Sequence, residues 1–219
     1  MIQENIIAIK QELPPEVKLV AVSKFHPEEA IREAYAAGQR AFGENRPQEL
    51  AKKVEALADL DLEWHFLGHL QTNKLKMVLP YAQLVQSVDS QHLLDAIQDW
   101  GKVNDKVIRV LLELHIGAEE TKQGFKEEEI LDILFRAEKY KNIRFCGLMG
   151  MASHTDCEED IRADFARISD FKAYLDDLFP ELTDFSELSI GMSGDWRLAL
   201  DYGATIVRIG TAIFGERQY

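Results

Sequence analysis

A lysine closes an apolar, β-branched run, Lys18 to Lys24 (KLVAVSK), and Phe25-His26-Pro27-Glu28-Glu29 then opens a helix. An ammonium at the end of a buried strand is costly to desolvate, so burial lowers its pKa. The neutral amine that results can condense with a carbonyl, which is the chemistry of imine-forming lysines. The competing reading is a lysine whose stem packs while its head reaches solvent. Lys122, in Glu119-Glu120-Thr121-Lys122-Gln123-Gly124-Phe125, is a rival amine, but it stands among charges well past a strand and reads as a loop lysine.

Polar residues recur at the ends of the other apolar runs. They are Gly43-Glu44-Asn45-Arg46, Gly68-His69-Leu70-Gln71-Thr72-Asn73, Ser87-Val88-Asp89-Ser90, Met149-Gly150-Met151-Ala152-Ser153, Gly191-Met192-Ser193-Gly194-Asp195 and Arg208-Ile209-Gly210-Thr211. Gly191, Ser193 and Gly194 precede Asp195-Trp196-Arg197-Leu198, which reads as a helix start. Small residues let backbone N–H groups approach an anion, and the helix dipole favours negative charge there. Gly210 and Thr211 would add further N–H groups and a hydroxyl. The plainer alternative is that Ser193 or Asp195 only caps the helix.

Arg208 sits between Val207 and Ile209 in an apolar strand. A buried guanidinium stays protonated and needs acceptors. It pairs with a core carboxylate, for which Asp201 is one candidate, or it faces a ligand. An imine-forming lysine, a phosphate cradle and a fixed arginine together suit a phosphorylated carbonyl compound. Pyridoxal 5′-phosphate meets all three; a sugar phosphate on a Schiff-base aldolase meets them less specifically. His65 and His69 are four apart but on a strand, without a third ligand or an HExxH pattern, so no metal site is expected.

The elements that must position these residues follow from hydropathy. Strand-like runs fall at Leu19–Ser23, Ala41–Gly43, Trp64–Gly68, Leu84–Val88, Val107–Ile116, Phe145–Met151, Leu188–Met192 and Thr205–Ile209. Helical periodicity fills Glu28–Ala37 (with Gly38 as its stop), Gln48–Leu57, Gln91–Val103, Glu127–Tyr140 and Glu159–Leu178. In the last, Ile161, Phe165, Ile168, Phe171, Leu175 and Leu178 form one apolar stripe. Eight strands alternating with helices imply a single (β/α)₈ TIM barrel over residues 1–219, with a doubly wound open sheet as the alternative. Barrel chemistry gathers at the C-terminal ends of the strands, where the polar clusters stand.

The chain has 219 residues, 46% of them hydrophobic, which is enough for a full core. A net charge of −13 argues against nucleic acid as a partner. Cys146 lies in an apolar run and Cys157 in an acidic loop, with neither metal nor redox spacing, as expected of a reducing cytoplasm. The N-terminal MIQENIIAIKQELPPE is too charged for a secretory signal, and no run suits a membrane span.

In combination, the segments AVSK (21–24), FGENRPQE (42–49), WHFLGHLQTNK (64–74), SVDS (87–90), GLMGMAS (147–153), LSIGMSGDWRLAL (188–200) and VRIGTAIFG (207–215) resemble the YggS/PROSC family. These are pyridoxal-phosphate homeostasis proteins related to the N-terminal barrel of alanine racemase. The resemblance implies a fold-type III barrel with pyridoxal 5′-phosphate held as an aldimine on Lys24. It implies that Met192, Ser193 and Gly194 bind the phosphate together with Gly210 and Thr211. It places Arg208 near the pyridine nitrogen, which an arginine keeps unprotonated, and it lines the pocket with Asn45, His69 and Ser90. Arg46-Pro47 and Glu113-Leu114-His115 depart from the family pattern and alter the polarity expected of the pocket.

The chain ends at Tyr219, directly after the last strand and its GTAIFG tail. Alanine racemases continue into a β-rich domain, and a partner subunit supplies a tyrosine opposite the lysine. Two-base racemisation needs proton donors on both faces of a carbanion. The expectation is therefore a monomeric cytoplasmic carrier, not an enzyme, and the resemblance implies that it acts in vitamin B6 and amino-acid and keto-acid balance and serves apo-enzymes that need the cofactor. The alternative is a barrel enzyme, either a weak amino-acid racemase or a sugar-phosphate aldolase.

Overall fold

A computed structural model of the protein describes residues 1–117 and 123–216, so Lys122 and Tyr219 lie outside the described residues. The strands are β1 (Lys18–Val22), β2 (Ala41–Glu44), β3 (Glu63–Phe66), β4 (Ala82–Val88), β5 (Ile108–Glu113), β6 (Ile143–Met149), β7 (Glu187–Ser189) and β8 (Ile206–Ile209). The helices are α1 (Ile2–Glu12), α2 (Glu28–Ala36), α3 (Pro47–Ala56), α4 (Leu75–Val78), α5 (Gln91–Val103), α6 (Glu127–Leu134), α7 (Glu158–Leu178), α8 (Trp196–Leu200) and α9 (Thr211–Phe214).

All strands pair in parallel and in sequence order, and β8 returns to β1 through Lys18↔Ile206 to Ala21↔Ile209. That last pairing closes the barrel and excludes the open sheet. Parallel strands covered by helices are buried on both faces, which is why they read as near-continuous apolar runs. Their inward and outward residues form two separate cores. Val20, Ala41, Leu84, Leu111, Cys146, Met149 and Ile206 fill the lumen. A larger cluster lies between barrel and helices and includes Leu19, Ala21, Phe42, Trp64, Val207 and Ile209.

The long helix α7 begins one residue before its sequence estimate, and Phe165, Ile168, Phe171 and Leu175 of its stripe are buried. Side chains this size contribute about 1.5–3 kcal/mol each on full burial. Leu178, at the end of the stripe, is exposed. The segment expected as one helix from Glu127 to Tyr140 instead ends at Leu134 and is followed by a 3₁₀ turn, Ala137–Lys139. Strand β7 stops at Ser189, short of its estimate. Gly191 follows at φ +93°, and a Cβ there would lie 2.8 Å from the Ala199 Cβ, so the chain leaves the sheet where only glycine is comfortable.

Helix α1 corresponds to no element expected from the sequence. It buries Ile6 and Ile9 and packs against α2 and α9, with Asn5 Nδ2 donating to the Ile213 carbonyl at 2.9 Å. None of the described helices is long and apolar enough to cross a membrane.

Candidate functional site at the C-terminal mouth of the barrel

Lys24 stands in the turn just beyond β1 and is half-buried. Val20 of β1 faces the lumen while Leu19 and Ala21 face the helices, so strand alternation turns Val22 toward the barrel axis, and Lys24 follows two residues on. The next residue, Phe25, has φ +66°, a conformation that costs a non-glycine residue about 1–2 kcal/mol. Its neighbours hold it there. Phe25 N–H donates to Glu49 Oε1 at 2.7 Å, the Arg46 guanidinium lies 4.4 Å over its ring, and His26 stacks on Phe214 at 4.8 Å.

Beneath this turn lies a buried ionic knot. Lys53 Nζ of α3 donates to Glu44 Oε1 and Glu49 Oε1, both at 2.7 Å, and to the Ser23 carbonyl at 2.8 Å. Ser23 Oγ donates to the same Glu44 oxygen at 2.6 Å. Glu44, grouped by sequence with the polar mouth residues, therefore faces outward to α3 and braces the lysine turn from behind. The sequence reading ends this strand at Gly43 and leaves Glu44 in the polar cluster, and its partner nine residues on carries no signal there.

Asn45 follows Glu44 at the rim. A Cβ on Gly68 would stand 2.1 Å from the Asn45 carbonyl oxygen, so this rim closes only around a glycine. His69 Nδ1 pairs with Asp89 Oδ2 at 2.9 Å, with the histidine half exposed and the aspartate buried. Ser90 caps α5, its hydroxyl accepting from Leu93 N–H at 3.3 Å. Among the described residues, the buried side-chain oxygens without a hydrogen-bond partner are Glu44 Oε2, Asn45 Oδ1 and Asp89 Oδ1. All three cluster around the C-terminal ends of β2 and β4. Natural proteins rarely leave such atoms unsatisfied, and for Asn45 and Asp89 a polar ligand at the mouth is one way of meeting them, whereas Glu44 belongs to the knot behind.

Arg208 is buried in the lumen side of β8. Nη1 donates to the Ser189 carbonyl at 2.7 Å and to Ser189 Oγ at 2.6 Å, and Nη2 to the Gly150 carbonyl at 2.9 Å. Desolvation pulls its pKa down to about 10, opposed by the negative fields of Glu113 and Asp195, so the guanidinium remains charged at neutral pH. Asp201 is not its partner; that carboxylate is exposed and pairs with Arg162 at 3.2 Å. Glu113, at the end of β5, is buried, and its pKa is pushed up to about 7 by desolvation and then by Asp89, with Arg208 pulling the other way.

The loops after β7 and β8 meet at one hydroxyl. Ser193 Oγ accepts from Gly210 N–H at 3.2 Å and Ala212 N–H at 3.4 Å. Asp195 Oδ1 turns back to accept from Met192 N–H at 2.5 Å, and burial raises its pKa. Gly194 and Thr211 are exposed, and a Cβ on Gly194 would meet open space. Lys24, Asn45, His69, Ser90, Met192, Ser193, Gly194, Gly210 and Thr211 thus all stand just beyond strand C-terminal ends. Gln86, Ser189, Lys53 and Glu44, which fix them from behind, were not singled out as site residues by sequence.

Residues 1–218 match the family model described as "Alanine racemase, N-terminal domain". The chain belongs to that family. Within it, the YggS/PROSC resemblance holds across the chain. The pyridoxal phosphate homeostasis protein of Aquifex aeolicus is 43% identical over 203 residues, covering 92% of this chain and 88% of that protein. The Vibrio alginolyticus protein of the same name is 37% identical, covering 100% and 98%. Among solved structures, PipY of Synechococcus elongatus without PLP superposes with a TM-score of 0.93 at 39% identity, covering 98% of this chain and all of that one. PipY with PLP bound gives 0.90 at 38% identity, with the same coverage. Alanine racemase from Corynebacterium glutamicum, at 18% identity and TM-score 0.77, shares the fold; this chain spans 61% of it.

Proposed function

We propose that this protein binds pyridoxal 5′-phosphate at the C-terminal mouth and carries it in vitamin B6 homeostasis, with Lys24 as the covalent anchor. The observation that carries this reading is the charged, immobilised Arg208 on the strand paired with β1, which leads into the turn that holds Lys24. Val20 lies opposite Arg208 in that register, and in this reading the Lys24 amine, from the turn that follows β1, shares the inner face with the guanidinium. The relatives named for pyridoxal phosphate homeostasis, and the PLP-bound PipY, support the same assignment.

Each group has a task there. The Lys24 amine holds the aldehyde carbon. Ser193, with Gly210 and Ala212, gathers one hydroxyl and two N–H groups at the point where a phosphate would exchange for the hydroxyl as acceptor; Met192, Gly194 and Thr211 flank it. Asn45 offers a buried oxygen without a partner, and His69 stands beside it with its ring oriented by Asp89. Ser90 keeps the β4 rim in place through its cap. Arg208 can only donate, so it keeps a facing ring nitrogen unprotonated. Bound pyridoxal phosphate supplies an electrophilic carbon and an electron sink, the latter weakened without ring protonation. A weak sink suits holding and release more than carbanion chemistry. In this reading the protein acts as a cytoplasmic monomer that limits free aldehyde and passes cofactor to apo-enzymes.

The visible spectrum tests the anchor. The purified, reconstituted wild type is expected to show a yellow band, bleached by borohydride, with the reduced adduct on Lys24 by mass spectrometry. Lys24→Ala is expected to lack the band. A wild type that stays colourless with excess pyridoxal phosphate would overturn the assignment.

One observation favours a second reading, an enzyme. Glu113 is buried at the mouth with a pKa near 7 and can hold or release a proton at neutral pH. Exchange of an amino-acid α-proton in deuterated water, lost in both Lys24→Ala and Glu113→Gln, would establish that activity over the carrier role.

A further inference from the structure

Five inward or strand-end side chains link Arg208 to the opposite pole of the barrel. Arg208 Nη1 donates to Ser189 Oγ at 2.6 Å, and Ser189 Oγ donates to Gln86 Oε1 at 2.5 Å. Gln86 Nε2 meets His65 Nδ1 at 2.7 Å, and His65 Nε2 meets Glu63 Oε1 at 2.8 Å. Lys18 donates to that same Glu63 oxygen at 2.5 Å. Ser189, Gln86 and His65 are almost wholly buried, while Glu63 and Lys18 reach solvent beyond the strand N-terminal ends. The link between Ser189 of β7 and Gln86 of β4 crosses the lumen.

A carboxylate only accepts, so Glu63 requires a proton on His65 Nε2, and in a neutral ring this sets the direction of the bonds from His65 through Gln86 to Ser189. Ser189 Oγ accepts from Arg208 and donates its one proton to Gln86 Oε1. A serine proton requires the amide oxygen of Gln86 to face it, which turns the amide nitrogen to His65. His65 Nδ1 must then be bare, and its proton sits on Nε2, pointing at the Glu63 carboxylate. A flipped Gln86 would present oxygen to Nδ1 and demand a proton there. Burial of the imidazole, which disfavours its charged form, opposes that alternative.

We infer that Ser189, Gln86 and His65 form a one-way hydrogen-bond relay that fixes His65 as the neutral Nε2–H tautomer and makes Gln86 a positioning residue for Arg208. The tautomer stands on its own; the consequence at Arg208 rests on the cofactor reading above. The hydrogen bonds of Gln86 go to Ser189 and His65 and those of Arg208 to Ser189 and Gly150, so the two meet through Ser189. Gln86 acts by holding Ser189 Oγ as an acceptor, so that both guanidinium bonds to Ser189 form in one orientation.

Long-range ¹H–¹⁵N spectra of histidine-labelled protein without pyridoxal phosphate test the relay directly, with His65 assigned by its loss in His65→Asn. Wild type is expected to show a bare Nδ1 and a protonated Nε2 at neutral pH; a proton on Nδ1 would overturn the relay. In Gln86→Glu a carboxylate oxygen faces Nδ1, so both ring nitrogens are expected to be protonated, and an unchanged His65 would count against it. In Gln86→Leu the Kd for pyridoxal phosphate is expected to rise about tenfold, the scale of one lost buried hydrogen bond, and the visible band to shift. Unchanged affinity and band would remove Gln86 as a positioning residue. A wild type that takes up no pyridoxal phosphate would sink the cofactor reading, and the His65 spectrum would still decide the relay.

Discussion

Lys53 Nζ and Glu44 Oε1 form a buried ion pair 2.7 Å apart, directly beneath the turn that presents Lys24. Both side chains are almost fully removed from solvent, Lys53 at 6% and Glu44 at 0%. A buried pair of this kind adds little net stability, yet losing one partner leaves the other charge stranded. Lys53→Met is therefore expected to cost about 3–5 kcal/mol in urea unfolding, and Glu44→Gln in the same chain to recover part of it. Desolvation already raises the Glu44 pKa above its ordinary value, with Lys53 pulling it down. Without Lys53 the folded state binds a proton at Glu44 more tightly than the unfolded chain does. The stability deficit should shrink as pH falls and grow as pH rises. A pH-independent deficit would argue against a stranded carboxylate.

Glu113 makes a second prediction with the opposite emphasis, since its effect is present in the wild type. Its folded pKa of about 7 stands above the ordinary 4.5. Between those values the folded state holds a proton that the unfolded state has released, so stability falls as pH rises through that window. The full loss is on the order of 3 kcal/mol, reached above pH 7. Glu113→Gln mimics the protonated side chain and should abolish the decline. Chemical denaturation of both proteins at pH 5 and pH 8 gives the comparison, and equal slopes would return Glu113 to an ordinary carboxylate.

The arrangement around these two residues marks how far the sequence could be read. Eight apolar runs punctuated by polar ends predict a barrel, because parallel strands must be apolar on both faces and barrel loops collect function at one end. The mouth residues were legible for the same reason. What escaped the sequence depends on strand parity and on distance in space. Glu44 and Asn45 are adjacent, yet β2 sends one to α3 and the other to the rim. Gln86 and Ser189 are polar residues inside strands 103 positions apart, and only a closed lumen brings them together. At Ser189, as at His65 and Arg208, the signature in sequence is a polar residue between two apolar ones; Gln86, with Ser87 beside it, lacks even that. Helix α1 was missed although Ile2, Ile6 and Ile9 already fall at helical steps.

Gly68 tests how tightly the rim must close. Its missing side chain leaves space for the Asn45 carbonyl, and a methyl group would meet backbone atoms at 2.1 and 2.8 Å. Backbone cannot give way as a flexible side chain can. Gly68→Ala is expected to lower stability by about 1–3 kcal/mol, as overpacking does. It should also displace Asn45 and weaken cofactor uptake more than an equally destabilising substitution on the outer face of α7 would. Equal uptake in two such variants, measured by fluorescence titration with pyridoxal phosphate, would remove Asn45 from the binding surface.

Ser193 separates binding from folding most cleanly. Its hydroxyl is half-buried and accepts two long backbone bonds, from Gly210 and Ala212. Each such bond contributes about 0.5–1.5 kcal/mol when buried, and solvent replaces part of it here. Ser193→Ala should thus change the unfolding free energy by no more than about 1 kcal/mol. If the same two loops bind the cofactor phosphate, the lost hydroxyl also removes a donor to a dianion, and a hydrogen bond to a charged group is worth about 1.5–3 kcal/mol. Affinity for pyridoxal phosphate should then fall by about tenfold or more, while affinity for pyridoxal, which has no phosphate, stays where it was. Parallel titrations with the two aldehydes make the distinction. An equal loss for both would mean that Ser193 shapes the lysine pocket in general and that the phosphate lies elsewhere on the mouth.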